Sequence, residues 1–190
     1  GQYSVPLVSR MATGGGRQLA AQHSHSLEGW YAHIPGLKVA VPGTVEDARF
    51  MLAAALADPN PVLVFEHIVL YNSEGELDPE LQGVDLEHAR ICRPGHDISL
   101  VTYGNGLPKC LSAATQLAAE GIEAEVIDLR MLRPLDMATV LASLQRTHRV
   151  LLVEEAWRSG SVMAEVAARL AEEALYELDA PIGRLGGREV

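Results

Sequence analysis

The sequence predicts an α/β chain of two units, the second with a mostly parallel sheet between helices. Three observations carry that prediction. Short apolar runs alternate with longer amphipathic segments along nearly the whole chain, the order that β-α-β crossovers produce. The first short runs are rich in Val and Leu and lack clean two-residue alternation, as strands covered on both faces do. Helix start and stop residues stand where the pattern changes: Thr44, Pro59, Gly121 and Asp136.

Each element follows in order. "SVPLVSRM" (Ser4 to Met11) is a β-type run that stops at Gly14, Gly15 and Gly16, which permit close backbone approach. "LKVAVP" (Leu37 to Pro42) is a second strand. Thr44 then caps the helix "VEDARFMLAAALAD", with Glu46 and Asp47 in its first turn and Pro59 as its stop. "PVLVFEH" (Pro61 to His67) is a third buried strand. The polar stretch Asn72 to Asp97 reads as a linker, with room for a short strand in "GVDLEHARICRPG". In the second unit the strands are "DISLVTYG", "IEAEVIDLR", "RVLLVEEA" and a last "APIGRLGG". The helices between them are "NGLPKCLSAATQLAAEG", "PLDMATVLASLQRTH" and the long "SGSVMAEVAARLAEEALYEL". Right-handed crossovers then place helices on both faces of a parallel sheet.

The first unit shows three strands that look buried on both faces but one long helix. One helix cannot cover two faces, so cover is expected from chain before Gly1 or from a partner subunit. The absent initiator Met points the same way, to processing, a cloning scar or a fragment.

Composition narrows the function classes. The 190 residues are 48% hydrophobic, and 15 Lys and Arg against 25 Asp and Glu give a formal charge of −10. That balance argues against nucleic acid or an anionic membrane surface as main partner. No apolar run approaches the roughly 18 residues of a membrane span, and an intracellular home is the default. Cys92 and Cys110 make no disulfide framework and read as core-filling thiols.

Four local patterns carry chemistry. "YGNGLPK" follows a strand and opens a helix, and Asp128 ends the next strand as a ribose-binding acid would. Lys109 stands where the third glycine of a dinucleotide fingerprint belongs, so an ordinary strand-to-helix turn explains the glycines better. His23 and His25 lack a third local metal ligand. Polar turn residues, or an acid-base or substrate-binding histidine, remain open for them. "AALADPNP" closes a helix whose free carbonyls could bind a cation beside Asp58. Glu154 and Glu155 end a strand, where acid-base groups or plain polar edge residues both fit.

Several of these stretches together resemble one family. "AAQHSHSLEGWYAHIPGLKVAVP", "DARFMLAAALADPNPVLVFEH", "EAEVIDLRMLRPLD" and "RVLLVEEAWRSG" are similar to the beta subunit of the thiamine-diphosphate-dependent component of 2-oxo acid dehydrogenase complexes. The resemblance spans almost the whole chain. It implies an incomplete thiamine-diphosphate-fold pyrimidine-binding domain over residues 1–75 and a transketolase C-terminal-like domain over 76–190. It implies oxidative decarboxylation of pyruvate with acyl transfer to lipoyl domains; acetoin or branched-chain 2-oxo acid dehydrogenase, or an inactive interaction fragment, are the alternatives.

The resemblance also assigns residues. His23 faces the reacting centre and acts in acyl transfer, His25 is a secondary polar contact, and His33 is structural. Leu7, Ala55, Leu56, Asp58 and Asn60 form a potassium site, mostly through backbone carbonyls. Thiamine diphosphate and Mg2+ lie between subunits. The chain has no Gly-Asp-Gly triplet, so an alpha subunit holds the diphosphate and metal in an alpha2-beta2 assembly. That assembly docks on a dihydrolipoyl acyltransferase core, in bacterial cytoplasm or in a mitochondrial matrix.

Overall fold

The structure, a computed structural model, describes residues 3–188. The first sheet has the order β1-β3-β2-β7. Its strands are β1 (Val8–Thr13), β2 (Lys38–Ala40), β3 (Val62–His67) and β7 (Met131–Arg133). Strands β1 and β2 run parallel to β3 on its two sides, and β7 runs antiparallel to β2. The second sheet has the order β4-β6-β5-β8-β9. It comprises β4 (Arg90–Arg93), β5 (Ile98–Thr102), β6 (Ala124–Asp128), β8 (Val150–Trp157) and β9 (Gly183–Gly187). All its pairings are parallel except β4 with β6. The helices are α1 (Glu28–Ala32), α2 (Val45–Ala57), α3 (Gly106–Ala119), α4 (Met137–Thr147) and α5 (Val162–Glu173).

Helix boundaries follow capping chemistry. The Thr44 hydroxyl accepts from the Asp47 N–H at 3.0 Å, and Asp136 accepts from the Thr139 N–H at 3.1 Å, each satisfying a first-turn donor that the helix leaves free. Helix α5 starts at its cap, Ser161. It ends at Glu173 rather than running to Leu178; Leu175–Glu177 form a separate 3-10 turn.

The second face of the first sheet is covered by the second unit, which corrects the expectation that cover must come from outside. Ala40, Val62 and Val64 face α2 through Met51 and Ala55. Alternation puts Val39, Val41, Leu63 and Phe65 on the other face. There they share one core with Ile127, Leu129, Leu152, Val166 and Leu170. β1 is also not the doubly buried strand expected: most of its residues are half-buried or exposed, as the edge position allows.

Strand β7 was not foreseen. Met131–Arg133 fall between the strand "IEAEVIDLR" and the helix "PLDMATVLASLQRTH" of the sequence analysis, yet they cross into the first sheet. Three residues are too few to show a period, and their pairing is with β2, far away in sequence. The crossing turns at Arg130, whose φ is +57°, and the Arg130 carbonyl accepts from the Val41 N–H at 2.8 Å.

A buried charge cluster sits under this crossing. Arg130 Nε donates to Asp47 Oδ1 at 3.0 Å, and the Arg130 N–H donates to Asp128 Oδ1 at 3.1 Å. Asp47 and Asp128 are both fully buried, and Asp128 Oδ2 has no partner. Burial pushes the Asp128 carboxyl up to about 8, with the Asp47 charge adding to this and Arg130 opposing it. The folded state therefore holds a proton that the unfolded chain has already released, so this group's contribution is full below the ordinary carboxylate range and lost as pH rises toward about 8. Asp128→Asn removes that slope. Denaturant titrations from pH 5 to pH 9 will show the variant gaining stability over the parent as pH rises; parallel curves would contradict this.

Candidate active site

The carboxyl ends of the two sheets meet over a polar junction. Thr13 and His67 are register partners at the ends of β1 and β3. Tyr103 follows β5, and Glu154 and Glu155 lie near the end of β8. Carboxyl ends of parallel strands open toward loops and helix N-termini, which is where α/β sheets build sites.

Glu155 ties the two sheets together. Its Oε2 accepts from His67 Nε2 at 2.6 Å. Its Oε1 accepts from Asn105 Nδ2 at 2.7 Å and from the Lys109 ammonium. Burial pushes the Glu155 carboxyl up, but the His67 and Lys109 hydrogen bonds outweigh it and hold it at about 2. Glu155 is thus ionised, and the start of α3 is taken by its charge. Asp128, the expected ribose acid, is fully buried. Together these remove the dinucleotide reading of "YGNGLPK". Gly106 is needed for packing: a Cβ there would lie 2.0 Å from Thr102 Oγ1.

Two further carboxyls are buried nearby. Glu154 accepts from the Ser161 hydroxyl and from Tyr103 OH at 3.3 Å; burial still raises it. Glu28, at the start of α1, accepts from the Thr13 hydroxyl. Burial raises Glu28 as well, with the Thr13 bond opposing, and its Oε2 has no partner.

Between β1 and α1 runs the loop that carries His23 and His25. His23 ends a short 3-10 turn, Ala21–His23, and is exposed. The His25 carbonyl accepts from the Gly14 N–H at 2.9 Å and from Thr13 Oγ1 at 3.3 Å. The His25 ring meets Trp157 edge-on, with centroids 5.6 Å apart. Both histidines line a cavity of about 260 Å3 with Met11, Leu27, Tyr31 and Phe65. Its floor is apolar and its rim is imidazole, a setting for an organic ring or acyl group. Among the described residues no three His, Cys, Asp or Glu side chains are grouped as a metal would require. His33 is elsewhere, beside Arg133 and Gly160 around a cavity of about 700 Å3.

Leu7, Ala55, Leu56, Asp58 and Asn60 lie around the turn from α2 into β3, at the opposite end of the first sheet. The Leu7 carbonyl accepts from the Val62 N–H at 2.8 Å, and the Ala55 carbonyl from the Asp58 N–H at 3.2 Å. The Asp58 carboxylate pairs with Lys38 Nζ at 2.7 Å and accepts from the Asn60 N–H at 2.8 Å. Burial raises Asp58, and the Lys38 and Asn60 contacts bring it net below its ordinary value. An ammonium therefore already neutralises this carboxylate.

Sequence reasoning singled out His23, His25 and Glu155 but not Glu28, Lys109 or the role of His67. The available signal was position: His67 and Glu155 are polar residues at the ends of otherwise apolar strands. Gly14 shows how tight the junction is. Its φ is +82°, and a Cβ there would lie 1.9 Å from His67 Nε2. Gly14→Ala will cost ~1–3 kcal/mol in chemical denaturation; a cost near zero would mean that the ring does not rest on Gly14.

The chain is similar to known proteins along its whole length. Residues 1–73 match the model described as transketolase, pyrimidine binding domain, and residues 87–190 match transketolase, C-terminal domain. The pyruvate dehydrogenase E1 component subunit beta of Rhizobium meliloti (strain 1021) is 43% identical over 192 residues, covering 100% of this chain and 42% of that protein. The mitochondrial subunit beta of Drosophila melanogaster is 43% identical over 195 residues, covering 100% of this chain and 53% of that protein. The chain spans about half the length of the curated relatives it matches. A solved structure titled "Split gene transketolase, inactive beta4 tetramer" superposes with a TM-score of 0.80 at 24% identity, over 96% of this chain and 57% of that one. The chain belongs to the transketolase family, pairing sequence of its pyrimidine-binding domain with its C-terminal domain.

Proposed function

We propose that the chain works within the beta subunit of a pyruvate dehydrogenase, in the step that passes an acyl group to a lipoyl domain. The observation that carries this reading is the histidine-rimmed, apolar-floored cavity at the carboxyl ends of β1 and β3. Relatives named as pyruvate dehydrogenase subunits over the full span of the chain support it. In this reading the pyrimidine-binding part ends near Gly75 and the C-terminal domain begins near Glu76.

Thiamine diphosphate, when bound, would supply a nucleophilic carbon and a cationic ring that takes up the electron pair left on decarboxylation. Met11, Leu27, Tyr31 and Phe65 in the cavity lining would offer such a ring an apolar wall. The cavity's apolar floor excludes water, and its rim offers imidazoles. In this reading the diphosphate and its Mg2+ would be held by an alpha subunit in an alpha2-beta2 assembly. His23 is exposed at the rim and delivers a proton to a lipoyl sulfur as the dithiolane opens, a task suited to an imidazole positioned as a general acid. His25, held by its carbonyl and by Trp157, shapes the rim. The partners are the alpha subunit, the lipoyl domain and the acyltransferase core. No helix of the described residues is long and apolar enough to cross a membrane, and the compartment proposed is the cytoplasm or a mitochondrial matrix.

The reading is tested by measuring thiamine diphosphate binding with and without the alpha subunit. Tight binding requires both; tight binding by the beta side alone would contradict it. In the assembled enzyme His23→Ala will slow acyl transfer about 100-fold while changing thiamine diphosphate affinity little. Unchanged transfer would remove His23 from the reaction. For the cation site, potassium will raise the melting temperature of the assembled protein, and Asp58→Ala will reduce that increment. A melting temperature indifferent to potassium in both proteins would leave Asp58 paired with Lys38 alone.

A further inference from the structure

Both ring nitrogens of His67 are committed. The Val69 N–H points at Nδ1 from 3.2 Å. A backbone N–H can only donate, so Nδ1 accepts and carries no proton. The ring proton then sits on Nε2, where it is donated to Glu155 Oε2 at 2.6 Å. A histidine used at both nitrogens and only 5% exposed is not set up to trade protons with a substrate.

The ring instead fills space. It occupies the position that any side chain at Gly14 would need. Gly14 in turn holds the His25 carbonyl, and His25 leans on Trp157, two residues beyond Glu155 on β8. The contacts close on themselves: His67, Gly14, His25, Trp157, Glu155 and back to His67. Two of the five, Glu155 and Trp157, belong to the second sheet, so the circuit exists only when both sheets are in place.

We propose that His67 and Glu155 are positioning residues that fix the loop of residues 14–27, and with it His23, to the second sheet. The inference rests on the reading of His23 as the acting group in acyl transfer. Its geometry does not depend on the cofactor. Asn105 and Lys109 support the pair by holding the other oxygen of Glu155. Glu155 thereby links the start of α3 to the histidine loop.

The test is hydrogen exchange by mass spectrometry on the assembled enzyme, comparing His67→Ala, His67→Gln and Glu155→Gln with the parent. His67→Gln keeps a side-chain N–H directed at Glu155. In His67→Ala, peptides covering residues 14–27 will exchange about tenfold faster, while peptides of α4 stay protected as before. His67→Gln will restore most of the loop protection. Glu155→Gln keeps an acceptor oxygen but no charge, and will fall between the two. Loop exchange unchanged in His67→Ala, or faster exchange across the whole chain with no rescue by Gln, would overturn the proposal. Acyl-transfer kcat will follow loop protection across the series, with KM for the 2-oxo acid steady. A loosened loop with full acyl transfer would leave the positioning pair standing and overturn the role of His23 instead.

Discussion

The structure depends on β7. The first sheet has apolar residues on both faces of β2 and β3, and a single long helix to cover them. By sending Met131–Arg133 into that sheet, the second unit becomes its second cover and shares one hydrophobic core with it. Burial of Val39, Leu63 and Phe65 then requires both units at once. At ~1.5–3 kcal/mol for each such side chain, this shared surface is large beside the few kcal/mol that separate folded from unfolded chains.

The same arrangement explains the polar junction. Joining two sheets by their edges and faces brings their carboxyl ends together. Polar residues there are taken out of water and must find partners across the seam. Glu155 finds three, and ionises; Glu154 and Glu28 find weaker partners, and burial raises them. Asp128 sits beneath the β7 crossing with one oxygen unpaired and retains its proton. The histidine loop borrows its rigidity from this seam through Gly14 and Trp157.

Much of the architecture was legible because local patterns agree with the fold. Thr44 and Asp136 cap the helices they precede, and the apolar runs from Val62 and Ile98 became central strands. What escaped was set by distance in sequence. β7 has three residues and a partner some ninety positions away, and α1 has five residues, about one turn and a half. At the site, histidine type and loop position drew attention to His23 and His25. Glu28 and Lys109 carried no comparable signal, because their roles come from partners on other elements. The cover of the first sheet was misjudged for the same reason: counting helices in one unit ignores what a second unit can bury.

The central claim is that the two sheets form one cooperative body, so that the site exists only when both are formed. Native-state hydrogen exchange in the intact protein, followed against denaturant, tests it most directly by comparing amides of Val64 in β3 with those of Leu100 in β5. The account predicts that both exchange through the same global opening, with one denaturant dependence. Exchange at Val64 through a separate, smaller opening that leaves Leu100 protected would show that the first sheet stands or falls alone, and would contradict it.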